Sequence, residues 1–320
     1  MSTRDERAQR IAEKLRRELG ADICDLLVDP TVIEIVLNEA GVLWVERLGE
    51  PMKPFGKMAA AQAESLMATV ASTVGVDLTR DNPILECELP FDGSRFSAVI
   101  PPVVEGPAFA IRRRAIKVFS LDDYVEQGVM TEAQRDLIGQ AVIHRQNLLV
   151  VGGTGSGKTT LANALIEHIA RGLPDDRLVI IEDTREIQCS SKNKLQMRAT
   201  ESVTMDRLLK HTLRQRPDRI IVGEVRGAEA MTLLKAWNTG HPGGVATIHA
   251  NGAKAGLTRL EQMISEATAA PMQRLIGQAV DWVVFIARAP GGRRVEDVIR
   301  VREFDGHDYI TTNGAEYGAE

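Results

Sequence analysis

The sequence predicts an α/β fold in which a domain with a mostly parallel sheet follows a smaller α+β domain. Three observations carry this expectation. Continuous apolar runs at 147–151, 178–182, 219–223, 245–249 and 282–287 alternate with helically spaced segments, the pattern of parallel strands covered on both faces. A glycine-rich loop, GGTGSGKTT at 152–160, joins the first of these runs to a helix. Ahead of them, short β-like runs are separated by turn residues, with one helical stretch between. A length of 320 residues is enough for two domains with cores of their own, and the expected division is 1–116 and 117–320.

Composition narrows the class. Hydrophobic residues make up 44% and charged residues 26%, as in soluble globular proteins. The net charge of −5 argues against a general nucleic-acid binder. Cys24, Cys87 and Cys189 are scattered and form neither a disulfide framework nor a metal-binding pair, which suits a reducing cytoplasm. Residues 1–20 are charged throughout, unlike a signal peptide, and no run approaches the roughly 18 apolar residues of a membrane span. The expectation is a cytoplasmic protein that could still lie on a membrane surface.

The elements follow in order. Residues 4–19 have amphipathic helical spacing, with Ala8, Ile11, Leu15 and Leu19 on one side and Arg7, Arg10, Lys14 and Arg17 as a basic stripe. That stripe reads as a solvated face or as a membrane-surface contact. Glu34–Leu37 and Val42–Arg47 flank Asn38-Glu39-Ala40-Gly41 as a hairpin. Residues 58–75 form a helix packed by Met58, Leu66, Met67, Val70 and Val74. Leu85–Leu89, Arg95–Ile100 and Phe109–Arg113 complete a mixed or antiparallel sheet. A boundary near Ala115–Ser120 precedes a helical segment that starts at Leu121, and the glycine-rich last dozen residues read as a loose tail.

The loop at 152–160 carries the first chemistry. Leu148–Val151 supplies a buried strand, and the segment from Thr160 has helical spacing. Between them stands G-x-x-x-x-G-K-[ST], a phosphate-binding loop in its expected setting. Gly152, Gly153, Thr154, Gly155, Ser156, Gly157, Lys158, Thr159 and Thr160 are therefore the expected nucleotide-binding residues, with ATP and Mg²⁺ as ligands. Backbone N–H groups at the helix N-terminus would face the phosphates. Lys158 would reach the β/γ-phosphates, and the Thr159 hydroxyl would bind Mg²⁺.

Three more clusters end predicted strands. In Leu178–Glu186 (LVIIEDTRE), Glu182 and Glu186 can assist with metal and water. In Asp218–Arg226 (DRIIVGEVR), Gly223 stands where many phosphate-loop proteins place a magnesium-binding Asp, so Glu224 is expected to polarise water. In Gly240–Asn251 (GHPGGVATIHAN), His249 can report the phosphate state by hydrogen bonding, while His241 stays ambiguous.

Together and in this order, the four clusters resemble the secretion or traffic ATPases of type II secretion, type IV pilus and type IV secretion machines. GGTGSGKTT (152–160) matches their Walker A, IEDTRE (181–186) resembles their Asp box, IVGEVR (221–226) their atypical Walker B, and GGVATIHAN (243–251) their His box. Upstream, DGSRFSAVIPP (92–102) and AIRR (110–113) resemble their N-terminal arginine segment. The resemblance implies a RecA-like ATPase domain, a homohexameric ring, and an N-terminal domain that covers the nucleotide. Arg95, Arg112 and Arg113 would then be donated to it, where guanidinium groups neutralise charge on the transferring phosphate. No four-cysteine insertion is present, and the compact opening segment is most similar to the conjugal-transfer branch, with pilus-retraction motors as nearest rivals. The implied role is ATP hydrolysis that powers conjugative secretion or pilus biogenesis, with inner-membrane components of the machine as partners. A DNA translocase is the alternative from another class, opposed by the acidic balance and an aromatic content of 4%. A small-molecule kinase would need an acceptor pocket and an arginine-rich lid that the sequence does not offer.

Overall fold

The computed structural model describes residues 3–113, 118–200 and 202–314, with side chains from Gln9 onward. The chain divides into two compact units, Met1–Ile116 and Lys117–Glu320.

The first unit opens with α1 (Thr3–Val28), which runs past the predicted end at residue 19 and breaks at Gly20 (φ 81°, ψ 165°). Side chains of Arg7 and Ala8 lie outside the described set. Leu15, Leu19 and Ile23 are fully buried, and Arg10, Lys14 and Arg17 face outward. Next come β1 (Val32–Leu37) and β2 (Val42–Arg47), antiparallel across the predicted turn. Asn38 closes that turn by accepting the Val42 N–H on Oδ1 at 2.9 Å. A short strand β3 (Lys53–Lys57) follows that the apolar pattern does not announce, because it is an outer strand with little apolar content. After α2 (Ala60–Val74) come β4 (Ile84–Glu88), β5 (Arg95–Val99) and β6 (Ala108–Arg112). The sheet order is β3-β2-β1-β6-β5-β4, with every neighbouring pair antiparallel. Alternate residues Ile35, Leu37, Phe96, Ala98, Phe109 and Ile111 pack beneath α1 and α2, so one sheet face is covered.

The second unit begins with α3 (Leu121–Glu126) and α4 (Glu132–Ile143), each started by a reciprocal capping box, at Ser120/Asp123 and Thr131/Gln134. Then come β7 (Leu148–Gly152), α5 (Lys158–Gly172), β8 (Leu178–Glu182) and β9 (Lys194–Arg198). They are followed by α6 (Met205–Thr212), β10 (Arg219–Val225), α7 (Glu229–Asn238) and β11 (Val245–His249). Last are α8 (Ala253–Ser265), α9 (Gln273–Ala279), β12 (Trp282–Ala289), β13 (Gly292–Phe304) and β14 (Tyr309–Asn313).

The sheet order is β14-β13-β12-β7-β11-β10-β8-β9. From β12 to β9 all neighbours are parallel, and β13 and β14 add an antiparallel edge. The apolar runs are continuous because successive residues enter different cores: Leu149 and Val151 one, Leu148 and Val150 the other. The predicted loose tail needs correction. Residues 309–313 are a paired strand, with Tyr309 buried, and the remainder from 315 lies outside the described residues.

Asn147 ties the centre of this sheet together just before β7. Its Oδ1 accepts from Gly244 N, its Nδ2 donates to Ala279 O, and its backbone N–H donates to Asp281 Oδ2. It thereby fixes the relative heights of β7, β11 and β12, and so where their carboxyl ends fall. Among the described residues, no helix is long and apolar enough to cross a membrane.

Candidate active site

Parallel strands bring their carboxyl ends to one edge, and here four adjacent strands end in the four sequence clusters. β7 ends in the glycine-rich loop, β11 in His249, β10 in Glu224 and β8 in Glu182. The register sets His249 beside Gly152 and Ile248 beside Val225.

The loop closes tightly on itself. A Cβ on Gly152 would lie 2.4 Å from both Ile286 O and Ser156 Oγ, a space too small for any side chain. Gly157, at φ 98°, starts α5 with no side-chain cap, so the first amides of that helix are open to an anion. Lys158 is 9% exposed and donates from Nζ to Gly153 O at 3.0 Å, curled over the loop it is expected to leave for a phosphate. Ser156 Oγ is buried without a hydrogen-bond partner among the described residues. An uncapped helix start, a buried hydroxyl without a partner and a retractable ammonium fit a polyphosphate tail. Gly152, Gly153, Thr154, Gly155, Ser156, Gly157 and Thr160 all belong to this cradle or the first turn above it.

Thr159 donates its hydroxyl to Glu186 Oε2 at 3.0 Å. Hydroxyl and carboxylate side by side at a phosphate loop are hard oxygen donors of the kind Mg²⁺ takes, so these residues fit that ion. The two acids of the Asp box perform different tasks. Glu182 is 2% exposed and turns inward, its Oε1 accepting Glu186 N at 2.9 Å and Ile187 N at 2.7 Å. Through Oε1 it organises the loop that carries Glu186, where the sequence predicts that both acids assist with metal and water. Asn163 grips the same loop from α5, donating to Glu186 O at 3.2 Å and accepting from Gln188 N at 2.9 Å. Asn163 lies one helical turn after Thr159, inside an apolar pattern that gave no sign of this role.

The glycine at the Asp position of Walker B has a steric reason. A Cβ at Gly223 would come within 3.0 Å of Glu182 Cγ. Thr247 Oγ1, on β11, donates to Gly223 O at 2.6 Å and holds the strand in place. Glu224 projects beyond it, with Oε2 accepting from Arg226 Nε at 2.9 Å and Nη2 at 2.5 Å. Arg226 also donates to Asp183, joining the β8 and β10 ends. Burial works against the charge of that guanidinium, yet its bonds to Glu224 and the charges of Asp183, Glu224 and Glu186 hold it above the ordinary arginine range. Arg226 was not among the expected site residues. His249 is exposed at its strand end, while His241 leans on Pro217 O at 3.3 Å, a structural contact.

In the first unit, Arg95 and Arg112 are cross-strand neighbours on β5 and β6, and Arg112 is also opposite Glu34 on β1. Burial raises the Glu34 carboxyl, with Arg112 pulling it back down. Arg113 is engaged differently from its neighbours: its Nη1 donates to Asp29 O and, at 3.1 Å, to Val32 O. It fastens the α1–β1 junction inside its own unit.

Known proteins decide the family at this point. The type II/IV secretion system protein family matches residues 18–290. The chain belongs to that family. The conjugal transfer protein TrbB of Rhizobium radiobacter is 51% identical over 307 residues, covering 96% of this chain and 95% of that protein. The type IV secretion system protein VirB11 of Bartonella henselae is 29% identical over 330 residues, covering 86% and 90%. The pilus retraction motor PilT with bound ADP shares the fold, with a TM-score of 0.61 at 20% identity over 91% of this chain and 81% of that one. The resemblance read from the motifs is thus shown for the family, and relatives at about half identity are conjugal transfer proteins. The RecA-like fold of the second unit is shown as well.

Proposed function

We propose that this chain is a cytoplasmic ATPase that works as a homohexamer at the inner membrane and powers a conjugative type IV secretion apparatus or its pilus. The observation that carries the reading is the alignment of four motif ends on neighbouring parallel strands. Phosphate loop, His249, Glu224 and the Glu186 loop share one edge. The 51% identity to a conjugal transfer protein over nearly the whole chain supports the conjugative role.

In this reading Lys158 leaves Gly153 O for the terminal phosphates, and the loop amides hold the remaining oxygens. Thr159 and Glu186 are the residues that would hold Mg²⁺, which supplies charge neutralisation between phosphates. Glu224 orients the attacking water and accepts its proton as the bond to the γ-phosphorus forms, while ADP leaves. Arg226, bonded to Glu224 Oε2, keeps that carboxylate at the β10 end of the site. Arg95 and Arg112 are the arginines we propose for charge on the transferring phosphate, and His249 the group that reports its presence.

Sizing of the purified chain with and without a non-hydrolysable ATP analogue, together with phosphate release from Mg-ATP, tests the reading. A nucleotide-supported hexamer with turnover lost in Lys158→Ala is expected. A monomer under all conditions that releases no phosphate contradicts it, and turnover that depends on single-stranded DNA would favour a translocase instead.

A further inference from the structure

Two arginines that no motif singles out lie against the outer wall of the phosphate loop. β12 runs beside β7 in register from Trp282–Leu148 to Phe285–Val151, then continues past the end of β7 into its hairpin with β13. That continuation carries Arg288 to the loop. Its Nε donates to Gly155 O at 3.3 Å, and a Cβ on Gly155 would lie 2.3 Å from its Nη2. The guanidinium therefore rests directly on the loop backbone. Arg293, paired opposite Arg288 on β13, packs its stem against Gly157, where a Cβ would be 2.9 Å from Arg293 Cδ. Arg294 follows, and residues 288–294 (RAPGGRR) include no acid.

Like charges set directly opposite on antiparallel strands repel each other. An anion bound in the loop beneath them relieves that repulsion at contact distance, although solvent and salt screen the exposed Arg288 charge in part. Geometry adds a second effect. A cation on the Gly155 carbonyl polarises the peptide unit whose other end is the Ser156 N–H, which here donates inside the loop to Gly153 O at 3.3 Å and would turn to a phosphate together with Lys158. Arg288 thus strengthens a donor on the inner wall by holding an acceptor on the outer one.

We propose that Arg288, backed by Arg293, is a positioning residue for the polyphosphate: it fixes the Gly155–Ser156 peptide with its amide inward and places positive charge behind the cradle. The proposal rests on the reading that this loop takes Mg-ATP. It adds a determinant of triphosphate affinity in the same subunit, outside the four motifs and separate from the arginines of the first unit.

Titration of the full chain with mant-labelled Mg-ATP and Mg-ADP tests it, using Arg288→Ala, Arg288→Gln and Arg288→Lys. The last two keep a long stem over Gly155 and differ in charge. Affinity for both nucleotides should fall about tenfold in Arg288→Ala and in Arg288→Gln, and Arg288→Lys should recover most of it. In steady-state turnover, KM should rise by more than kcat falls. Wild-type affinity in Arg288→Gln overturns the proposal, as does Arg288→Lys binding as weakly as Arg288→Ala. Failure of the wild-type chain itself to bind either nucleotide would instead overturn the functional reading beneath it.

Discussion

Glu182 offers the sharpest separation between a structural and a chemical carboxylate. Its Oε1 accepts two backbone N–H groups, from Glu186 at 2.9 Å and Ile187 at 2.7 Å, in surroundings that leave it 2% exposed. Hydrogen bonds to a charged acceptor contribute about 1.5–3 kcal/mol each. Glu182→Ala leaves both donors without this acceptor, and the Glu186 amide is only partly buried, so the loss is about 3–5 kcal/mol. Set against a total stability of roughly 5–15 kcal/mol for a domain, that is a large shift in urea midpoint. It also frees the loop that aims Glu186 at Thr159. Glu182→Gln keeps a carbonyl acceptor of the same length and gives up only the charge, at about 1 kcal/mol. The assay is urea unfolding of both variants alongside Mg-ATP turnover. Glu182→Ala should lose stability and turnover together, and Glu182→Gln should retain most of both. If both variants keep wild-type stability and both are inactive, the carboxylate acts directly on water or metal and the positioning role is wrong.

Three other outcomes follow from the same geometry. Glu224→Gln should still bind Mg-ATP while phosphate release falls by about 10²–10⁴, the contribution of a general base; turnover near wild type would remove Glu224 from that role. Gly223→Asp should not restore an ordinary Walker B but reduce stability and activity, because its Cβ meets Glu182 Cγ at 3.0 Å and its charge faces a buried carboxylate; a gain in turnover would contradict this. Arg219 is fully buried, paired with Asp176 at 2.7 Å and bonded to Val142 O and Gly243 O. Arg219→Ala should cost about 3–5 kcal/mol by leaving Asp176 less compensated, and an unchanged thermal midpoint would refute that value.

Elements whose residues are buried on both faces were the most legible in the sequence. Leu148–Val151 and Ile220–Val222 read as strands because each successive side chain enters one of two cores, and Leu178–Ile181 because all four are buried. Partly exposed strands hid themselves for the opposite reason. β9 (KLQMR) and β13 (GRRVEDVIRVREF) are half exposed and carry charges, so no apolar run announces them. α1 outran its predicted end because Gly20 only breaks it, and the segment beyond packs Ile23, Leu26 and Leu27 into the same core. At the site, residue types at motif spacing pointed to strand ends, where the structure has those motifs, yet not to the direction each side chain takes. Glu182 and Glu186 lie four residues apart in one acidic turn, and only the fold shows that one faces the loop amides and the other Thr159. Arg226, Asn163 and Arg288 act through contacts with sequence separations of 43, 25 and 133 residues, beyond any local pattern.

The proposed chemistry requires a triphosphate in the β7–α5 loop with Glu224 across from it. Structure determination of the Glu224→Gln variant with Mg-ATP tests this most directly. Phosphate density is expected against the amides of 153–159, with Lys158 Nζ withdrawn from Gly153 O to meet it and the substituted amide at position 224 facing the terminal phosphate. An empty loop, or nucleotide bound elsewhere with Lys158 still on Gly153 O, would contradict it.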